Sequence, residues 1–266
     1  MKEITAKENP LIKDAVRLLS SRSHRKQTGR FIAEGLRLCV EAVQAGVKVE
    51  QAFFTPDFAA RHPQETAQIS AAAGEGTIIS DAVAAKLSGT ETPQGVFCLC
   101  TALDNSRDVG TICDGKYIIL SNLQDPGNVG TILRAAEALG VDGVILSEDC
   151  PDLYSPKVLR ASMGGVLRLP VKLSADIPGE IAALRRSGVK VWAAALTEQA
   201  APVTCTDFAG GTAVVIGNEG NGLTAAVIDA CDGSVVIPMA RPGQSLNAAM
   251  AACILIWELF RSKNPG

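Results

Sequence analysis

Three segments in the second half of this 266-residue chain set glycines beside side chains able to do chemistry, each directly after an apolar, strand-like run. They are 122–130 (NLQDPGNVG), 217–222 (GNEGNG) and 238–247 (PMARPGQSLN). Glycine-bearing turns let a backbone approach a ligand closely and present unpaired N–H and C=O groups to it. In an open parallel sheet, ligands bind beyond the carboxyl ends of the strands, which is where such segments would fall. The polar side chains in or just after these segments are Asn128, Arg134, Glu219, Ser245 and Asn247. Each also has a purely structural reading. Asn128 and Ser245 would serve as helix N-caps, Arg134 as an exposed helical residue, Glu219 as a solvated carboxylate. Asn247 is harder to dismiss, because an amide just inside an otherwise apolar helix needs a hydrogen-bond partner.

Several common chemistries are excluded by the same inspection. No G-x-G-x-x-G follows the first strand of this half, and no G-x-x-x-x-G-K-[ST] occurs, so the usual dinucleotide and triphosphate cradles are missing. There is no G-x-S-x-G. Both histidines, His24 and His62, lie in the first half, so a Ser-His-Asp triad cannot form in the second. The eight cysteines include no CxxC pair, and with only two histidines a structural zinc site is not expected. The N-terminus has no apolar signal core, and the longest apolar run, 248–257, is ten residues, too short to span a bilayer. A cytosolic protein with reduced thiols is the expectation.

The net charge of −3 conceals an asymmetry. Residues 1–30 carry eight bases and three acids, a local +5, which leaves −8 on the other 236 residues. The stretch 22–30 (RSHRKQTGR) holds four bases and no acid: Arg22, Arg25, Lys26 and Arg30. A flexible basic patch on an acidic body has the form of a phosphate footprint; the alternative is a solvated loop between two helices.

Positioning these residues requires a particular alternation of elements. Residues 1–104 read as a small α/β domain: a helix at 10–20, strands at 30–34, 49–55, 76–80 and 95–100, a helix running to Gln44 and a short helix near 82–87. The polar stretch 105–115 reads as a linker. From 116 to 266, strands at 117–121, 144–147, 169–172, 189–196, 213–217 and 234–238 alternate with helices at 129–139, 156–161, 181–187, 224–230 and 245–261. That pattern predicts a parallel sheet covered on both faces.

The segments DPGNVGTILRAAEALG, VVIGNEGNGL and IPMARPGQSLNAAMAA, in this order, resemble the three motifs of the SpoU/TrmH branch of the SPOUT RNA methyltransferases. SPKVLRASMGG between them and TPQGV at 92–96 are similar to that family too. The likeness is clear over about 116–259, and the N-terminal part resembles the family's ribosomal-protein-like substrate-binding domain. Gln244 departs from the pattern, since many members carry an acid there. The resemblance implies an α/β parallel sheet with a C-terminal trefoil knot, against the general rule that chains do not knot. It implies S-adenosylmethionine as cofactor, methylation of a ribose 2′-hydroxyl in ribosomal or transfer RNA, and a homodimer with the terminal helix in its interface. By the same resemblance, Asn128, Arg134, Glu219, Ser245 and Asn247 are the catalytic candidates. Leu196, Thr197, Ile216, Gly217, Asn218, Gly220, Ile237, Met239, Ser245 and Leu246 match cofactor-binding positions, held largely through main-chain groups. RNA contacts are expected from Arg22, Arg25, Lys26, Arg30, Lys157 and Arg160, with Ser162 either beside them or capping its helix. No metal is expected.

Overall fold

A computed structural model of the chain describes residues 2–89, 92–105, 109, 112–241 and 244–261. The expected linker therefore falls partly outside the described residues (106–108, 110 and 111), as do Pro242 and Gly243 of the third segment and residues 262–266. The chain divides into two compact units, Met1–Leu103 with Asp152–Leu167, and Asp104–Pro151 with Arg168–Gly266. The first boundary lies one residue from the expected one. The segment 152–167, expected within the second domain and carrying Lys157 and Arg160, packs with the first unit instead.

The first unit is built on a five-stranded sheet: β1 (Lys2–Ile4), β2 (Arg30–Glu34), β3 (Val49–Phe54), β4 (Gly76–Ile79) and β5 (Val96–Thr101), in the order β1-β4-β3-β5-β2. β5 runs antiparallel to β2 and β3, and the remaining pairs are parallel. Helix Pro10–Ser20 starts where Asn9 accepts from Leu11 N–H and Pro10 supplies a preset φ. Its Ile12, Ala15 and Leu18, at helical spacing, bury against Phe53, Ile79, Phe97 and Leu99 of the sheet.

Here the structure corrects the reading of the basic stretch. Residues Arg22–Thr28 form a helix, capped by Ser21 at one end and by left-handed Gly29 (φ 62°) at the other. Arg25 is 7% exposed. Its Nε donates to Asp152 at 2.5 Å, and its Nη1 donates to the carbonyls of Leu18 and Leu19, the latter at 3.2 Å. These carbonyls belong to the last turn of helix Pro10–Ser20, where C=O groups lack intrahelical partners. Arg25 thus closes that helix and is withdrawn from any RNA-facing role. Arg30 is half-engaged too, on Asp14 at 2.8 Å and Glu50 at 3.7 Å. Arg22 and Lys26 remain exposed. Ser162 is buried and bonds Leu159 C=O at 3.1 Å, so it serves its own helix rather than RNA.

The second unit carries a seven-stranded, wholly parallel sheet: β6 (Lys116–Leu120), β7 (Gly143–Ser147), β8 (Val171–Ser174), β9 (Lys190–Ala194), β10 (Ala201–Pro202), β11 (Thr212–Ile216) and β12 (Gly233–Val236), ordered β10-β12-β9-β11-β6-β7-β8. The runs KYIIL, GVILS and TAVVI are buried at every position, as a parallel strand covered on both faces requires. The chain lays β7 and β8 outward from β6, then returns to place β11 on β6's other side. β6 is thereby a topological switch point, and the in-register pair Leu120 and Ile216 ends both strands at one level. Helix Pro126–Leu139 packs against the terminal helix Ala248–Arg261. That terminal helix begins three residues later than expected.

Removing the Arg25 side chain leaves Asp152 partly buried and unpaired, and orphans two helix carbonyls. Arg25→Ala is expected to destabilise the protein by about 3–5 kcal/mol in urea unfolding. A loss below about 1 kcal/mol would mean that the guanidinium is effectively solvated.

Candidate functional site

The three glycine-bearing segments leave β6, β11 and β12, and hydrogen bonds tie them to one another. Ser121 N–H bonds Ile216 C=O at 2.9 Å, holding the two exits side by side. Asn218 Nδ2 then donates to Asn122 C=O at 2.8 Å, while Asn218 Oδ1 accepts from Gly220 N–H and Asn221 N–H at 2.8 and 2.9 Å. The 217–222 turn closes as a reciprocal backbone pair between Asn218 and Gly222. Gly217 is required there, since a Cβ would lie 2.6 Å from the Gly222 carbonyl carbon. Asn122 itself adopts a left-handed φ of 56°, and its N–H is fixed by Ser147 Oγ at 2.8 Å.

The central contact is a relay of three side chains from the three segments. Asn247 Nδ2 donates to Asn128 Oδ1 at 3.0 Å, and Asn128 Nδ2 donates to Glu219 Oε1 at 2.8 Å. Glu219 Oε2 accepts from Gln124 N–H at 3.2 Å. Asn128 is not an N-cap: Asp125 caps helix Pro126–Leu139, and Asn128 stands in its first turn, buried to 8% exposure. The anticipated cap at Ser245 is also corrected. Asn247 Oδ1 accepts from Ala249 N–H at 2.9 Å and Met250 N–H at 3.4 Å, so Asn247 caps the terminal helix while its amide nitrogen reaches Asn128. The partner that an amide at this helix start demanded is thus Asn128. Ser245 is exposed, with no hydrogen-bond partner among the described residues.

Burial pushes the Glu219 carboxyl up, but the Asn128 amide and the main-chain groups of Glu219, Gln124 and Asp125 outweigh it, leaving the group below its ordinary value. Arg134 is not drawn into the relay. Six residues along the helix from Asn128, it lies on a different face, exposed and without an ion-pair partner among the described residues.

Beside the relay, a cavity of about 660 Å³ opens at the carboxyl ends of β9 and β12. It is lined by Ala194–Leu196, Val235–Met239 and Gln244–Leu246, with Ala251 and Leu255 of the terminal helix. Ile237–Met239 lie beyond the last ladder pair of β12, so the β12 ladder does not engage their main-chain groups. Leu196, 89% exposed, and Met239, 36% exposed, border it with aliphatic surface. The expected cofactor set divides accordingly. Leu196, Ile237, Met239, Ser245 and Leu246 line the cavity. Ile216, Gly217, Asn218 and Gly220 instead form the end of β11 and the turn bonded to Asn122, and Thr197 is outside the lining. Arg241 is the cavity's charged lining residue among those described and was not anticipated, having no pattern of its own in the sequence. The cavity lining is largely apolar with Arg241 as its charged residue among those described, which fits an adenosine-bearing cofactor better than a metal. Among the described residues, no group of three His, Cys, Asp or Glu could hold a metal ion.

Ionised Glu219 is the form that accepts both bonds. With its pKa lowered in the fold, the contribution is full above the ordinary Glu value of about 4.3 and is lost as pH falls through the folded value. The stability difference between wild type and Glu219→Gln is expected to be about 1 kcal/mol, given the exposure of the loop. It should be constant from pH 8 to 5 and shrink at lower pH in parallel thermal melts. A difference that grows on acidification would reverse the assignment.

Comparison with known proteins adds two family matches. Residues 115–257 match the model of the SpoU rRNA methylase family, and residues 9–98 match an MRM3-like substrate-binding domain. An uncharacterized tRNA/rRNA methyltransferase of Synechocystis is 34% identical over 98% of this chain and 94% of its own. A 23S rRNA guanosine 2′-O-methyltransferase, RlmP of Bacillus subtilis, is 29% identical over 97% and 99%. The crystal structure of an AdoMet-bound rRNA methyltransferase from Sinorhizobium meliloti superposes with a TM-score of 0.87 at 29% identity, covering 98% of each chain.

Proposed function

The chain belongs to the SpoU rRNA methylase family, and on that premise we propose that it transfers a methyl group from S-adenosylmethionine to a ribose 2′-hydroxyl of ribosomal RNA. The observation that carries this reading is the Asn247–Asn128–Glu219 relay beside the apolar cavity of Leu196, Ile237, Met239 and Leu246. Large-subunit RNA is favoured over transfer RNA because the match to the 23S rRNA enzyme RlmP runs nearly end to end. The C-terminal part of the second unit is read as a trefoil knot, on the strength of the family.

When bound, S-adenosylmethionine supplies a sulfonium methyl, already a good electrophile, so the protein's task is to deliver a poor nucleophile in line. Main-chain groups of 194–196 and 235–239 would hold its adenosine, with Leu196 and Met239 against the rings. Positioning of this kind contributes on the order of 7 kcal/mol. Asn128 spends its amide in both directions on the loops, and is therefore a positioning residue. Ser245, exposed at the cavity, is the hydroxyl left to touch the nucleotide. Arg134, exposed and unpaired among the described residues, holds the phosphate next to the target ribose and stabilises negative charge developing on its oxygen. It does not act as base, because a guanidinium stays protonated.

The second copy completes the site. Met250, Ile254 and Trp257 are 57%, 37% and 54% exposed, at spacings of four and three on one face of the terminal helix. Such a stripe on a helix that is otherwise packed calls for a partner, and a second copy of this face supplies it. The enzyme works as a cytoplasmic homodimer, where its ribosomal substrate is made.

The deciding assay is transfer of labelled methyl groups to unmodified ribosomal and transfer RNA, with the product mapped by resistance to alkaline cleavage. Calorimetry should register S-adenosylmethionine and not NAD; cofactor binding without transfer to either RNA would leave only a knotted RNA-binding module. Arg134→Ala should lower kcat by about 10²–10³, and Arg134→Lys by nearly as much, since a point charge cannot replace the fork. Near-full activity in Arg134→Lys would refute the clamp, and a new alkaline limb in its pH profile would revive Arg134 as base. Trp257→Glu should give a monomer in sedimentation with transfer largely lost; an unchanged dimer would put the interface elsewhere.

A further inference from the structure

The first unit has a cleft of its own, of about 400 Å³, lined by residues that the relay and the cofactor cavity do not use. Met163 and the edge of Leu38 give it apolar surface over buried Leu159, and Arg37, Arg160 and Gln94 give it N–H donors. Glu34 also lines it, but that carboxylate is committed: its side chain is 9% exposed, and it accepts from the Ser88 hydroxyl and from Gly89 N–H at 3.0 Å. Arg160 sits 3.9 Å from it, so Glu34 steadies one arginine. Arg37 is 65% exposed, and its carboxylate contact is a loose one, Glu41 at 4.0 Å. The cleft therefore carries an excess of positive charge. Gln94 Oε1 accepts from Leu36 N–H at 2.9 Å, which fixes the amide and leaves its NH2 group to donate elsewhere.

Backbone strain marks the same place. Among the described residues, two that are not glycine adopt a left-handed φ, Asn122 of the relay loops and Met163 at 51°. Asparagine is at home in that region and methionine is not. Met163 N–H bonds Arg160 C=O at 3.2 Å, so the left-handed turn ends helix Pro156–Ser162 and fixes both residues at the cleft. Glycine would make this turn without strain. What methionine adds is an apolar side chain in the lining, and strain kept at such a position points to function.

Apolar surface beside clustered donors is the complement of a nucleotide, with a hydrophobic ring face and an anionic phosphate. A concave cleft of this size excludes a duplex but admits one base splayed from a single strand, the form in which RNA sequence is read. We propose that this cleft takes one unpaired nucleotide of the RNA substrate, its base against Met163 and the edge of Leu38 and its phosphate on Arg37 and Arg160. The inference rests on RNA being the substrate, and gives the first unit a selective role beyond electrostatic attraction.

The test uses the full chain, a fluorescein-labelled, unstructured oligoribonucleotide, and the same strand annealed to its complement. Arg37→Glu, at an exposed position, and Met163→Gly, which relieves the left-handed strain and changes no charge, should each weaken single-strand binding about tenfold in anisotropy. Thermal midpoint and S-adenosylmethionine affinity should hold. In methyl transfer, the KM for RNA should rise with kcat near wild type. Unchanged single-strand binding in Met163→Gly would overturn the base site, as would an equal loss with duplex or an equal loss of cofactor affinity. If the variants lose single-strand binding in this way while the wild-type chain methylates no RNA, the proposed activity fails and the cleft stands. Active variants with an unchanged KM would do the reverse.

Discussion

The carboxamide of Asn128 is the contact on which the arrangement of the second unit's site depends. An amide has an acceptor end and a donor end, and here the acceptor end takes Asn247 and the donor end gives to Glu219. The partners stand 119 and 91 residues away in sequence. The first two turns are also joined by Asn218 and Asn122, but the third reaches them through Asn128. Joined through one buried side chain in the first turn of helix Pro126–Leu139, they inherit that helix's rigidity. A carboxylate here would lose the donor end and an alkyl group would lose both, so only an amide makes the link in both directions.

Each unit has a concave surface of its own, and the two are chemically unlike. The cavity at the ends of β9 and β12 is made of strand-end main chain and aliphatic walls, suited to an uncharged heterocycle. The cleft of the first unit is made of arginines and an amide over an apolar lining. Both exploit positions where regular structure stops. Past the last ladder pair, backbone N–H and C=O groups no longer have obligatory partners and become available to a ligand.

Charge tells a related story about burial. Counting bases along 22–30 treats Arg22, Arg25, Lys26 and Arg30 as equivalent. In the fold, Arg25 is consumed by Asp152 and two helix carbonyls, and Arg30 is shared between Asp14 and Glu50. A cation that satisfies buried acceptors contributes little to the field outside. The positive surface that survives is made of exposed side chains, among them Arg22, Lys26 and Arg37.

Much of the architecture is legible in the chain itself. Apolar runs such as KYIIL and TAVVI, cut by glycine and proline and alternating with amphipathic segments, specify buried parallel strands wherever they occur, and the motif order implies the family without reference to coordinates. Local pattern also located the three turns whose side chains meet at Asn128. It did less well at element starts, where Asn247 rather than Ser245 caps the terminal helix, and among the elements it missed are β1, the short strand β10 and the helices at Arg22–Thr28, Pro56–Arg61 and Pro63–Ala72. Those outcomes turn on a single hydrogen bond or a neighbouring strand, and leave little periodic trace. Tertiary structure alone decided that 152–167 joins the first unit, that Arg25 is a cap rather than a contact, and that Asn128 faces Glu219. The reason is physical: periodicity records which face of an element is buried, whereas the identity of a partner a hundred residues away depends on where two strands end in the same sheet.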